Sequence, residues 1–203
     1  MWSEQIILML LEGIKDTLYM TLTSTLIGYV IGLPMGILLT VTDKDGIHPN
    51  AAIYKVLDVI ANLIRSVPFL ILLIVLIPFT RFLIGKSYGP TATIVPLVIA
   101  AAPYIARMVE SSLKEVDAGV IEAARSMGAS NFTIVTKVML VEARTSLIVG
   151  ATISLGTILG YSAMAGTVGG GGLGDIAIRY GYTRWQTDIM IVTVILLVIL
   201  FQI

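Results

Sequence analysis

From about Thr17 the chain runs apolar almost without interruption to Thr42, and long apolar stretches return four more times. A helix needs roughly 20 apolar residues to cross about 30 Å of hydrocarbon. Five stretches meet or approach that length: about Thr17 to Thr42, Val56 to Phe79, Pro90 to Met108, Thr145 to Val168 and Thr187 to Ile203. The pattern predicts an all-α integral membrane protein, with residues 1–203 forming one transmembrane domain of five spanning helices. Gly28, Gly32, Pro34 and Gly36 lie inside the first stretch, where such residues are tolerated. The fifth is short: from Ile189 it offers 15 residues, about 22 Å of helix at 1.5 Å per residue. It stops with no polar end, so the native chain is expected to continue into a polar tail.

Composition agrees with lipid as the main solvent. Of 203 residues, 57% are apolar and 13% charged, where soluble domains carry about 25% charged residues. Mean hydropathy is +0.95. Thirteen basic and thirteen acidic residues cancel, so no global field argues for nucleic acid. Without cysteine there is neither a disulfide framework nor thiolate chemistry. The opening MWSEQIILMLLEGIKD lacks a basic n-region and a small-residue cleavage site, and no signal peptide is read there.

Basic residues indicate orientation. With the loop between the third and fourth stretches in the cytoplasm, that side holds Lys44, Lys55, Arg107, Lys114, Arg125, Lys137 and Arg144. The other side holds Lys15, Arg81, Lys86, Arg179 and Arg184. The bias places the N-terminus outside and the C-terminus inside. The second stretch opens with Asp58, Asn62 and Arg65 on one helical face. That face either pairs its own charges at a solvated helix end or lines a cavity, and its place near the cytoplasmic edge favours the first. The fourth stretch contains Gly156-x-x-x-Gly160, with Ser154, Ser162, Ala163 and Ala165 close by. Small residues let helices approach closely in lipid, so this is a packing helix and a candidate subunit interface.

Residues 109–144, between the third and fourth stretches, are too polar to cross. Their pattern predicts two short helices broken near Gly128, the first from about Gly119 to Met127, the second starting after Ser130 or Asn131 as N-cap. On the first, Val120, Ala123 and Ala124 make a shallow apolar face flanked by Glu122 and Arg125. Taken by spacing alone, it is an amphipathic connector or a docking surface.

Glu122-Ala123-Ala124 with Gly128 four residues on resembles the "EAA" loop of ABC-importer permeases. In that family a short cytoplasmic coupling helix docks into a groove on a separate ATPase. The resemblance implies that Glu122 meets polar groups of the ATPase, that Ala123 and Ala124 pack, and that Gly128 turns the chain. The family's Leu-Pro close is absent, since Leu140 precedes Val141 and Glu142. NLIRSVPFLILL from Asn62, GYSAMAGTVGGGGLGDIAIRYGY from Gly160 and TRWQTDIM from Thr183 are similar to the methionine-importer permease subfamily. That likeness implies a bacterial cell-membrane homodimer with two ATPase subunits and an extracytoplasmic, lipoprotein-type substrate-binding protein. Membrane lipid surrounds such a dimer and nucleic acid has no part in it. ATP and Mg would be held by the ATPase, leaving this chain without a cofactor of its own.

Several motifs point elsewhere and fail. Gly169 to Gly174 fits G-x-G-x-x-G, but a dinucleotide site needs a strand before it and a helix after it in a soluble βαβ unit. Gly174 is followed by Asp175 and Ile176 rather than Lys and Ser/Thr, so it is no P-loop either. Gly169, Gly170, Gly171 and Gly172 instead suit a tight re-entrant turn at the outer mouth. The sole histidine, His48, lies beside Pro49, and no HExxH is present. Ser162 has no base nearby, so neither a catalytic nor a metal site is expected. Met164, between Ala163 and Ala165, is a long flexible apolar side chain among small ones. It either fills a packing gap or meets its copy across a two-fold axis as a gate. In the second case Tyr161 and Ser162 are candidate polar contacts for substrate.

Overall fold

The computed structural model describes residues 4 to 202, and every regular element among them is helical. Helix α1 is Glu4–Thr42, α2 Ala51–Ser66, α3 Phe69–Val75, α4 Ile77–Ile84 and α5 Pro90–Lys114. Helices α6, Ala118–Ser126, and α7, Asn131–Thr133, follow. A π-helical segment, Ile134–Met139, leads into α8, Leu140–Glu142, and α9, Arg144–Ala165. A 3-10 turn, Gly166–Val168, precedes α10, Gly172–Ile176; a second π-helical segment, Ala177–Tyr182, precedes α11, Thr187–Gln202. The stretches Glu4–Thr42, Pro90–Lys114 and Arg144–Tyr182 are long and apolar enough to cross a membrane, and the sharply bent pair of α2 and α3 adds a fourth only if it is one broken span. Helix α11 is apolar but shorter, and Ile203, the end of the fifth stretch, lies outside the described residues.

Two boundaries differ from the sequence pattern for identifiable reasons. Helix α1 starts thirteen residues before Thr17, at Glu4, and continues through Glu12, Lys15 and Asp16. Its first turns are held by apolar burial: Leu10 packs in one cluster with Leu173, Ile176 and Ile189. The stretch from Val56 to Phe79 is broken twice. Pro68 has φ −55° and ψ 134° and caps α3; a proline disfavours helical backbone at the residue before it and lacks an N–H. A second break falls at Leu76, with Pro78 in the first turn of α4.

Two compact units are present. The first comprises the chain through Leu26, Val67–Ile99 and everything from Leu155 on. The α10 segment is clasped here: the Thr17 hydroxyl donates to the Gly13 carbonyl at 2.8 Å and accepts from the Leu173 amide at 2.9 Å. Backbone approaches backbone where the chain reverses, since a Cβ on Gly174 would lie 2.1 Å from the Ala163 carbonyl oxygen. Glycine is required there by space.

The second unit is Ile27–Ser66 with Ala100–Ser154. Its close approach is made by α1. A Cβ on Gly32 would sit 2.6 Å from the Ala102 carbonyl oxygen, and one on Gly36 would sit 2.5 Å from that of Ala106. A Cβ on Gly28 would meet the Ala101 and Ile105 side chains at 3.0 Å. The glycines therefore form a flat stripe at i, i+4 and i+8 against an alanine-lined face of α5. They are the seam of the unit.

Candidate functional site

Helix α6 is a nine-residue helix defined at both ends. The Asp117 carboxylate accepts from the Gly119 amide at 2.8 Å, capping its N-terminus. At the other end Gly128 has φ +80°, the left-handed backbone that glycine adopts without a Cβ penalty. Ser130, not Asn131, caps the next helix, its hydroxyl accepting from the Thr133 amide at 3.2 Å.

The shallow apolar face is divided. Ala124 is 5% exposed, and α6 packs against Ile134–Met139. Ala123, Glu122 and Gly128 are exposed. Val120, Ala123 and Met127 form the open stripe at i, i+3 and i+7, and Met127 is 82% exposed. Ala124 therefore belongs to this chain's own packing, and Ala123 is the alanine open to a partner.

Arg125 crosses to the connection between α1 and α2, its guanidinium donating to the Ile47 carbonyl at 2.7 Å. A groove of about 490 Å³ lies beneath this contact, lined by Asp43, Asp45, Lys114, Ile121, Glu122 and Arg125 among others. Behind it runs a charged network. Lys114 donates to Asp43 at 2.7 Å and to Glu110 at 2.8 Å, and Arg107 donates to the other Glu110 oxygen at 2.7 Å. Arg107 also donates to the Asp58 carboxylate and, at 3.0 Å, to the Asn62 side-chain carbonyl. The Glu110 side chain is 6% exposed, and an interior carboxylate survives only when paired as this one is. The hydrogen bond from Lys114, opposed by partial burial, holds the Asp43 carboxyl below its ordinary value. A lowered native value means the contact contributes stability above the ordinary carboxylate range and loses it as pH falls through the native value. It is intact at neutral pH.

Asp58 and Asn62 thus grip a neighbouring helix, and the hydrogen bond between their own side chains, 3.1 Å long, is a secondary contact. Arg65, expected to share their role, is exposed. Sequence reasoning uses Arg107 and Lys114 for orientation only and passes over Glu110, although their i, i+3 and i+7 spacing puts them on one face of α5. That spacing was the available signal.

In the other unit the glycine turn is built from three glycines with positive φ: Gly169 at +78°, Gly171 at +84° and Gly172 at +74°. The Gly169 carbonyl accepts from the Gly89 amide at 2.9 Å, and the Gly170 carbonyl accepts from the Thr93 hydroxyl at 3.2 Å. Along α9, Gly156 and Gly160 have different surroundings. A Cβ on Gly156 would meet the Phe201 ring at 2.9 Å, whereas one on Gly160 would meet nothing within 4 Å. Tyr161 is stacked on Phe69, ring centroids 4.5 Å apart. Ser162 is 1% exposed and donates to the Leu159 carbonyl at 2.8 Å. Met164 is 51% exposed. Of these positions, Gly160 and Met164 present open surface. Among the described residues no group of His, Cys, Asp or Glu could hold a metal ion.

The family model described as binding-protein-dependent transport system inner membrane component matches residues 28–203. A probable D-methionine transport system permease protein, MetI, of Vibrio cholerae is 48% identical over 195 residues, 96% of this chain and 87% of that protein. The D-methionine transport system permease protein MetI of Escherichia coli is 51% identical over 164 residues, 81% of this chain and 76% of that protein. Among solved structures, a chain of the inward-facing MetNI methionine ABC transporter superposes with a TM-score of 0.97 at 50% identity, covering 99% of this chain and 93% of that one. An amino acid ABC transporter solved with histidines matches at a TM-score of 0.79 and 22% identity, over 98% of this chain and 90% of that one, a likeness of fold.

Proposed function

Because the chain belongs to the inner-membrane components of binding-protein-dependent transport systems, we propose that it is the permease subunit of an ATP-driven importer carrying methionine into the cytoplasm. The observation that carries this reading is likeness at 48% identity over 96% of the chain to a permease named for methionine transport. The energy comes from elsewhere. Neither glycine motif here can cradle a nucleotide, so two copies of a separate ATPase bind ATP and Mg and hydrolyse it.

In this reading the chain makes five crossings, with α11 as the last, its N-terminus outside and its C-terminus in the cytoplasm. Helix α6 is the coupling helix: Ala123, Val120 and Met127 enter the ATPase groove, Glu122 meets polar groups at its edge, and Gly128 turns the chain away. Ala124 holds the helix in place. An extracytoplasmic binding protein delivers methionine at the outer mouth, to which this reading assigns Gly169, Gly170, Gly171 and Gly172.

The pore runs between two copies of the chain. Gly160 has open space in front of it and Met164 is half exposed, so both suit the two-fold axis. Gly156 instead serves packing against Phe201 within one copy. Two Met164 side chains meeting at the axis exclude water, and an unbranched thioether swings aside without straining its helix. Tyr161 lies one position from the gap and is the polar group nearest substrate, while Ser162 is committed to internal bonds. The chain lacks cysteine, so single cysteines at Gly156, Gly160 and Met164 test this directly. Mild oxidation in lipid should trap dimers at 160 and 164 and leave 156 monomeric. Cross-linking at 156 alone, or at none of the three, overturns the arrangement.

A further inference from the structure

We propose that Arg125 is the latch through which movement of α6 reaches the α1–α2 connection and, beyond it, the foot of α2. It is a positioning residue, touching neither substrate nor nucleotide, and the proposal rests on α6 being the helix that docks on the ATPase.

Helix α6 does not lie flat on the rest of its unit. Ala124 packs inward, but between the helix and the connection at residues 43–50 lies the groove of about 490 Å³. Ala118, Ile121 and Glu122 line one side of it, and Asp43, Asp45 and Gly46 the other. The Arg125 guanidinium bridges it, donating to the Ile47 carbonyl at 2.7 Å. A hydrogen bond from an ionised donor is among the stronger kinds, and the planar guanidinium holds its direction.

What Arg125 grips is stiff. The His48 amide donates to the Val41 carbonyl at 3.0 Å and the Asn50 amide to the Thr42 carbonyl at 2.9 Å, fixing the connection to the end of α1. The Asn50 side chain then caps α2, accepting from the Ala52 and Ile53 amides at 3.2 and 3.1 Å. A pull on Ile47 therefore moves the end of α1 and the start of α2 together. Asp43, at the same junction, is bonded to Lys114, and the network continues through Glu110 and Arg107 to Asp58, seven residues into α2. The path from α6 to α2 is continuous, and Arg125 is the contact in it that spans open space.

The test uses the transporter in liposomes with its ATPase and binding protein, measuring methionine taken up per ATP hydrolysed. Arg125→Gln should keep the ATPase in the complex and hydrolysis within about twofold, while uptake per ATP falls about tenfold, the worth of one charge-assisted bond. Arg125→Lys should recover most of that ratio. A wild-type ratio in Arg125→Gln overturns the latch; so does loss of the ATPase from that variant, which would make Arg125 a docking residue. Spin labels at Ser126→Cys and Asp45→Cys in otherwise native protein give a check independent of the Arg125 variants. The latch predicts one unchanged distance with ATP and with ADP, and separation of the pair on nucleotide exchange contradicts it. Should the underlying reading of α6 be at fault, the sign is different: Ala123→Arg would retain coupled uptake whatever Arg125 does.

Discussion

Ala123→Arg is expected to abolish ATP-driven uptake while leaving the permease folded and in the membrane. Ala123 is exposed on α6, so a longer side chain there meets nothing in its own chain. In the proposed assembly it meets the ATPase instead. A groove shaped for alanine must then take a guanidinium, whose burial without a partner costs about 3 kcal/mol or more, roughly a hundredfold in docking. The same change at Ala124 is a different experiment, because that residue is 5% exposed and packed inward. Ala124→Arg breaks the seat of α6 and confounds docking with folding. The measurement is uptake together with ATPase co-purification, and normal coupled uptake by Ala123→Arg would remove α6 from the ATPase interface.

Gly36→Leu should have the second large effect, on assembly of the chain itself. The first atom of any side chain at that position would stand 2.5 Å from the Ala106 carbonyl oxygen, inside van der Waals contact. Helix α5 must shift, and overpacking of this kind costs about 1–3 kcal/mol even where neighbours are flexible side chains. Backbone is the less yielding neighbour, so the upper end is expected. Gly36→Ala isolates the steric term: alanine favours helix over glycine by about 1 kcal/mol, yet the variant should still melt lower than wild type in detergent. An Ala variant as stable as wild type would show that α1 and α5 have slack.

What the amino-acid pattern made legible was periodic or local. Long apolar runs announced helices in lipid, and the helix expected from about Gly119 to Met127 falls within a residue of α6 at each end. Breaks at Val67–Pro68 and at Leu76 were harder to see, because an apolar run conceals backbone interruptions that proline and packing impose. The start of α1 was hidden for the opposite reason: Glu12, Lys15 and Asp16 interrupt hydropathy but not the helix. Close approach was legible only in part. Of Gly156-x-x-x-Gly160 on α9, Gly156 does pack against Phe201, whereas the stripe of Gly28, Gly32 and Gly36 on α1 makes a close helix contact that the pattern did not single out. Which glycine stripe meets a partner depends on tertiary facing, and composition around each stripe does not encode it. Spacing could not divide Ala123 from Ala124 either, since adjacent residues on a helix differ by about 100° and either one can face the chain. Arg107 and Lys114 enter the sequence reading through orientation alone and Glu110 not at all, although their spacing already puts the three on one face.

The most direct measurement of the central claim is uptake of labelled methionine into liposomes holding this chain, its ATPase and its binding protein. ATP inside the binding-protein-free compartment, where the ATPase sits, should drive methionine accumulation across the membrane, and withdrawal of ATP or of the ATPase should stop it. Full-rate accumulation of another amino acid, with methionine neither transported nor competing, would contradict the account.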